Sequence, residues 1–371
     1  MIVGILKEPP GETRVSLLPE AVAQLVKKGI RVLVETNAGQ LSAATDQDYT
    51  KAGAAVSDAA AIAAQADIIL ALQQPSVPLN RKGIILIGVY QPLYNTDSMQ
   101  AWAQAGITSF SLDMLPRTTR AQSMDVLSSQ ANIAGYKAVL LAANLYPRYF
   151  PMFMTAAGSI APAKVLILGA GVAGLQAIAT ARRLGAVVEV FDTRPAVKEE
   201  VMSLGARFIE VEGAADASRA GGYAVEQSDD YKQKQQQRIK ESLAKADIVI
   251  TTAQIPGKKA PILITEEMLS GMRNGSLVID LAAATGGNTP FTRNNDTVMH
   301  NGVTIVGNSN LAASMPSDAS KLYGKNIMNF MALIINKEGQ LQLNWEDDLV
   351  KGSCITHDGA VVHERLKQQT V

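Results

Sequence analysis

The residues best suited to chemistry begin with an apolar run, Lys164-Val-Leu-Ile-Leu, that leads straight into Gly169-Ala-Gly171-Val172-Ala173-Gly174. An alanine-rich stretch follows, with Ala177, Ala179 and Ala181. Between a strand and a helix, G-x-G-x-x-G serves a dinucleotide. Gly169 permits the tight turn, Gly171 lets the backbone approach a pyrophosphate, and Gly174 allows the helix to lie close on the strand. Free N–H groups at the helix start then face the anion. A second strand, Val187–Phe191, ends in Asp192, about 20 residues beyond the glycines, where a carboxylate meets the adenosine ribose hydroxyls. Such a carboxylate repels a 2′-phosphate, which favours NAD(H) over NADP(H); Arg194, two residues on, could instead meet that phosphate. The plain alternative, glycines serving only a strand–helix turn, has strand, helix and acid all counting against it.

A second constellation reads Arg117-Thr118-Thr-Arg120-Ala-Gln122-Ser-Met-Asp125-Val-Leu-Ser128-Ser-Gln-Ala-Asn132. The spacing predicts a helix from about Ser123 to Leu145. Asp125, Ser128 and Asn132 would then share one face, with Gln122 just ahead of the first turn. Short hydrogen-bonding groups of this kind suit a carboxamide and a ribose. Helix-terminus chemistry explains them equally well, with Ser123 as the N-cap and Asp125 complementing the dipole.

The histidines limit the reaction. His300, His357 and His363 are the full set, and all three are expected at the surface, with His300 in an exposed turn. Oxidising an alcohol or amine moves a proton along with the hydride, so a positioned base is normally present. Hydride passage between two nicotinamides moves no proton. It needs two rings held in contact and water kept out.

Composition narrows the class. The 371 residues are 47% hydrophobic and 18% charged, enough apolar material for about two domains. Lys plus Arg and Asp plus Glu are both 34, so no global charge argues for nucleic acid or a lipid surface. Cys354 is the single cysteine, which excludes an intrachain disulfide or a cysteine-rich metal site; no metal is expected. Lys7 and Glu8 interrupt the first apolar run, so no secretory leader is expected. No apolar run approaches the 18 or more residues of a membrane span. A soluble cytoplasmic protein is the expectation, without direct membrane insertion.

The elements that must position these groups alternate short apolar runs with helical periods, the mark of parallel sheets covered by helices. Candidate strands are Ile2–Leu6, Arg31–Glu35, Asp67–Leu72, Gly83–Val89 and Ile107–Ser111, then Lys164–Leu168, Val187–Phe191, Arg207–Glu210, Asp247–Thr251, Leu277–Asp280 and Val303–Val306. Helices are expected at Pro19–Lys28 and Val56–Gln65, and from about Ser317 to Asn336. Pro147, Pro151 and residues 156–159 read as a boundary. The Lys/Gln-rich run from Lys232 to Lys240 reads as a solvated helix, and Gly221-Gly222-Tyr223 before it as a flexible loop. The fold class is α/β: two Rossmann-like domains with mostly parallel sheets covered by helices, linked by long helices. The expected domains are residues 1–125 with about 320–371, flavodoxin-like, and residues 126–319, which bind the dinucleotide.

The chain resembles the NAD(H)-binding component, domain I, of proton-translocating nicotinamide nucleotide transhydrogenase, over essentially its whole length. The resemblance rests on Glu12-Thr-Arg14-Val, Arg117 to Tyr136, Gly169 to Gly174, Phe191-Asp-Thr-Arg-Pro195, Gly221-Gly-Tyr-Ala224, Thr251-Thr-Ala-Gln-Ile-Pro-Gly257, Val278-Ile-Asp-Leu-Ala-Ala283 and Gly286-Gly-Asn288. It implies bound NAD(H), direct hydride transfer to NADP(H) on a partner subunit, and coupling to proton movement through a membrane subunit. It also implies a homodimer, peripheral on the cytoplasmic face of the inner membrane through those partners. Arg117, Thr118, Gln122, Asp125 and Ser128 would meet the nicotinamide, its ribose and the pyrophosphate, with Gln122, Arg117 and Asp125 as the catalytic set. Gly169, Gly171, Val172, Ala173 and Gly174 would hold the pyrophosphate, and Asp192, Thr193 and Arg194 the adenosine ribose. Gly222 and Tyr223 would close over the nucleotide with Gln235 behind them. Ala253 and Gln254 would lie near the adenine, where relatives often carry Leu in place of Gln254. Alanine dehydrogenase shares the architecture and an Arg like Arg14, but uses a lysine in a K-V-K-E-P stretch and a histidine beyond it. Here those regions read Ala71-Leu-Gln73-Gln-Pro75 and Gly88-Val-Tyr90-Gln91-Pro92.

Overall fold

Strands that are apolar on both faces are the mark of parallel sheets with helices on either side, and the computed structural model, which describes residues 1–213 and 228–367, is built of two such sheets. The chain divides into two units, Met1–Gln130 with Ala313–Val371, and Ala131–Ala312. The division falls inside the long helix rather than at its start.

In the first unit the strands lie in the order Ala360–Val361, Cys354–His357, Thr108–Ser111, Ile85–Gly88, Ile68–Leu70, Ile2–Ile5, Arg31–Glu35, Ala55–Ser57. The last six are mutually parallel. Alternation sends Val3, Ile5, Val32 and Val34 into one core and Leu33, Ile69 and Leu86 into the other. The Pro316–Ile334 helix packs Tyr323, Ile327 and Phe330 into the first of these cores.

Two expectations fail here. A helix from Val56 is replaced by the Ala55–Ser57 edge strand and an Ala59–Gln65 helix. Asp58 is the reason: its carboxylate accepts from the Ala61 N–H at 2.7 Å, capping the helix and stopping it reaching back. The closing segment adds two antiparallel strands, Cys354–His357 and Ala360–Val361, to the sheet edge.

The second unit runs Arg207–Phe208, Val187–Phe191, Lys164–Leu168, Ile248–Thr251, Leu277–Asp280, Val303–Val306, with an antiparallel Thr297–His300 at the edge. Apart from that edge, this is the doubly wound order with its switch point between Lys164–Leu168 and Ile248–Thr251, where ligands sit beyond the carboxyl ends. Val165, Ile167, Ile248 and Ile250 face one core; Leu166, Leu168 and Val249 face the other. The stretch at 156–159 is no mere boundary: Phe153–Thr155 and Gly158–Ile160 form a hairpin, turning at Gly158 with φ 133°. The Lys/Gln-rich run lies in a helix, Asp229–Leu243, capped by Ser228, with Tyr231, Ile239 and Leu243 buried. Among the described residues, no helix is long and apolar enough to cross a membrane.

Candidate functional site

The glycine motif is built as a phosphate turn. Gly169 has φ 106°, which L side chains rarely adopt, and a Cβ there would strike the Thr252 hydroxyl. A Cβ on Gly174 would strike the Gly169 carbonyl oxygen, so the Val172–Arg183 helix can close on the turn only with glycine there. Gly171 differs from both. Its φ is −77°, and a Cβ on it would meet nothing within 4 Å. No side chain caps the helix at Gly171, and Val172 is exposed. The first-turn amides therefore point toward open space, the geometry an anion needs.

Asp192 stands behind this turn. Its carboxylate accepts from the Ala170 N–H at 2.7 Å and from the Arg194 N–H at 2.8 Å. The Arg194 guanidinium adds Nε at 2.9 Å and Nη2 at 2.7 Å. That hydrogen bonding to Asp192 holds the guanidinium above its ordinary range. Thr193 between them is half-buried.

Opposite the turn runs Thr252-Ala253-Gln254. Thr252 Oγ1 donates to the Gly169 carbonyl at 3.2 Å. Gln254 is exposed, and its Nε2 donates to the Leu281 carbonyl at 2.8 Å, so the side chain is already engaged. Gln235 is half-buried in its helix. Gly222 and Tyr223 lie outside the described residues.

In the first unit, Arg117, Thr118 and Gln122 are exposed on a short stretch whose Thr119–Met124 part is a 3-10 turn. Buried Ala121 and Met124 anchor the turn. Asn326 and Asn329 each donate from Nδ2 to the Ser123 carbonyl at 2.9 Å, and Arg120 pairs with Asp347 and Asp348. The long helix is Val126–Leu145, not Ser123–Leu145, and its cap is Asp125 rather than Ser123. The Asp125 carboxylate accepts from the Ser128 N–H at 2.8 Å and its hydroxyl at 2.6 Å. An Asp in extended backbone satisfies the free first-turn amide better than a serine two residues earlier. Asp125 therefore precedes the helix instead of lying on its face. Asn132 Nδ2 reaches Gln176 Oε1 at 3.4 Å.

The histidines are not the surface residues expected. His300 ends an edge strand with its ring stacked on Phe291 at 3.7 Å between centroids. His357 Nδ1 meets Thr108 Oγ1 at 3.1 Å. His363 Nε2 donates to the Gly352 carbonyl at 3.1 Å, and burial lowers its pKa. Each is half-buried and partnered because the missed edge strands fold over it. Arg14 is buried against Glu12, bonded through Nε and Nη2 at 2.7 Å each, with Nη1 on Gln130 at 2.8 Å. Burial pushes the Glu12 carboxyl up, but the Arg14 bonds and charge outweigh it and hold the group below its usual range.

Residues 4–134 match the model of the alanine dehydrogenase/PNT N-terminal domain, and residues 138–364 that of its C-terminal domain. The chain belongs to the alanine dehydrogenase/PNT family. Within the family it is 46% identical to the first of the separate alpha-subunit chains of the Rhodospirillum rubrum NAD(P) transhydrogenase, over 100% of both chains. A solved transhydrogenase structure from Sinorhizobium meliloti is 48% identical and superposes with a TM-score of 0.89, over 98% of this chain and 100% of that one. A solved L-alanine dehydrogenase, 24% identical over 99% and 98%, shares the fold with a TM-score of 0.82. The resemblance read from the motifs and the α/β class are thus both met. Sequence reasoning missed Asp280 and Asn288 as supports of the site; both are fully buried polar residues, and the Gly286-Gly-Asn288 motif was the signal available.

Proposed function

We propose that this chain binds NAD(H) and is the NAD(H)-binding component of a proton-translocating transhydrogenase, exchanging hydride directly with NADP(H) on a partner subunit. The observation that carries this is the Gly169–Gly174 turn, open above Gly171 and backed by Asp192, in a chain matched end to end by a transhydrogenase alpha-subunit chain. In this reading Gly169, Gly171, Val172, Ala173 and Gly174 hold the pyrophosphate. Asp192, Thr193 and Arg194 meet the adenosine ribose, Ala253 and Gln254 the adenine side, and Gly222, Tyr223 and Gln235 close over it. Arg117, Thr118, Gln122, Asp125 and Ser128 orient the nicotinamide end, with Gln122, Arg117 and Asp125 the catalytic group.

When bound, the reduced nicotinamide supplies the hydride, and the protein's role is placement. No proton crosses in that step, so no acid or base is required. The engaged histidines fit this, as does Arg14, which Glu12 already neutralises. An amino-acid dehydrogenase would need Arg14 turned toward a substrate carboxylate, and a base where Gln73 and Gln91 stand. Proton movement belongs to a membrane subunit, which would hold this chain peripherally at the cytoplasmic face. The homodimer reading is supported by an exposed apolar hairpin: Met152, Phe153 and Met154 lie beside Tyr149, which stacks on Phe153 at 5.2 Å.

The test mixes purified chain with the NADP-binding component, NADH and an NADP analogue. Reduction of the analogue is expected; a folded mixture carrying both nucleotides without transfer would refute the reading. A parallel cuvette with NAD and alanine should show no reduced nicotinamide.

A further inference from the structure

Asn288 is fully buried, 0% exposed, and every hydrogen-bonding group it carries is used. Its Oδ1 accepts from the Ala253 N–H at 3.1 Å, and its Nδ2 donates to the Ala253 carbonyl at 2.9 Å. The side-chain amide thus pairs with Ala253 as a neighbouring strand would. Nδ2 also donates to the Pro261 carbonyl at 2.8 Å. Its own N–H donates to Asp280 Oδ2 at 2.6 Å, and its carbonyl accepts from Leu263 and Ile264.

Asp280, also 0% exposed, is fixed in turn. It accepts from the Ala282 N–H at 2.9 Å and the Thr292 hydroxyl at 2.6 Å as well. A buried carboxylate with three donors is a rigid anchor. On the other side of Ala253, the Thr252 N–H donates to the Leu168 carbonyl at 3.0 Å and its Oγ1 to the Gly169 carbonyl. The Thr252 hydroxyl lies where a Gly169 side chain would be. One continuous set of contacts therefore runs from Asp280 through Asn288 and Ala253 to Thr252 and the glycine turn, all beyond the carboxyl ends of the sheet.

We propose that Asn288, locked by Asp280, is a positioning residue for the adenosine half of the dinucleotide, setting the Thr252–Gln254 wall against the Gly169 turn. This rests on the reading of that turn as a dinucleotide site. A clamp serving stability alone would lower the melting temperature and leave the folded protein's affinities untouched. A positioning clamp changes affinity selectively.

The experiment titrates wild type, Asn288→Ala and Thr252→Val with ADP-ribose and with reduced nicotinamide mononucleotide, alongside thermal melts. Asn288→Ala should weaken ADP-ribose about tenfold, roughly 1.4 kcal/mol, and leave the mononucleotide unchanged. Thr252→Val keeps the shape, removes the hydroxyl bond, and should show the same selective loss with an unaltered melt. If Asn288→Ala does not fold, Thr252→Val decides. Wild-type affinity for ADP-ribose in the folded variants, or equal losses for both ligands, would overturn the proposal. Wild type that binds neither ADP-ribose nor NADH would overturn the dinucleotide reading itself, and this inference with it.

Discussion

Arg194 folds back onto Asp192, two residues away, and grips both carboxylate oxygens from Nε at 2.9 Å and Nη2 at 2.7 Å. With the N–H groups of Ala170 and Arg194, four donors then meet one carboxylate, which is its full acceptor capacity. A ribose hydroxyl can reach Asp192 only by displacing one of them. The guanidinium also partly cancels the charge that would repel a 2′-phosphate. Coenzyme preference on this reading belongs to the pair and not to the acid alone.

Asp192→Asn should accordingly weaken NADH about tenfold, or roughly 1.4 kcal/mol, while NADPH binding holds or improves as Arg194 becomes free to meet the phosphate. Fluorescence titration with both coenzymes measures the ratio. An unchanged ratio would remove Asp192 from the ribose site.

The glycine turn separates folding from binding. Gly171→Ala places a methyl in open space at φ −77°, so its melting temperature should stay within about 2 °C of wild type. NADH binding should nonetheless fall tenfold or more, since the methyl enters the pyrophosphate's path. Gly174→Ala drives a methyl into the Gly169 carbonyl and should cost about 1–3 kcal/mol of stability. If both variants melt alike and bind alike, the division of labour is wrong.

Glu8 gives a pH signature. Its carboxyl is 7% exposed, and burial pushes its pKa up to about 7 despite the N–H groups of Leu72 and Gln73, with Glu12 raising it further and Arg14 opposing. The folded state therefore holds a proton that the unfolded chain releases near 4.5. The associated stability is complete below pH 4.5 and disappears as pH rises toward 7, a swing on the order of 2–3 kcal/mol. Glu8→Gln should erase it, so the variant gains on wild type between pH 4.5 and 8 in urea titrations. Parallel curves for the two proteins across that range would rule Glu8 out.

The hairpin should hold two copies together. Met154 is 73% exposed and Met152 62%, more apolar surface than a lone surface residue presents. Phe153→Ser with Met154→Ser should shift sedimentation at micromolar concentration from dimer toward monomer without lowering NADH affinity. A wild-type chain that sediments as a monomer would sink the dimer itself.

How far the site could be read from sequence depended on how local its physics is. The strands Lys164–Leu168, Val187–Phe191 and Leu277–Asp280 were legible to the residue because each is a β-branched or apolar run cut off by glycine or a polar residue. The glycine turn was legible because its backbone torsions demand glycine. The helix start was misread by three residues because Ser123 and Asp125 are both good caps, and the Ser123 carbonyl is taken by Asn326 and Asn329 from another stretch of the chain.

By itself, then, the order of residues determined the α/β class, the family, the phosphate turn and the absence of a histidine before His300, all properties of composition or of short contiguous spacing. Only tertiary structure decided that Arg194 occupies Asp192, that Asn288 braces Ala253, that the three histidines are spoken for, and that Glu8 holds its proton. These depend on burial and on partners up to 249 residues distant, such as Thr108 and His357. Desolvation and hydrogen-bond geometry act through space, and no pattern along the chain records them.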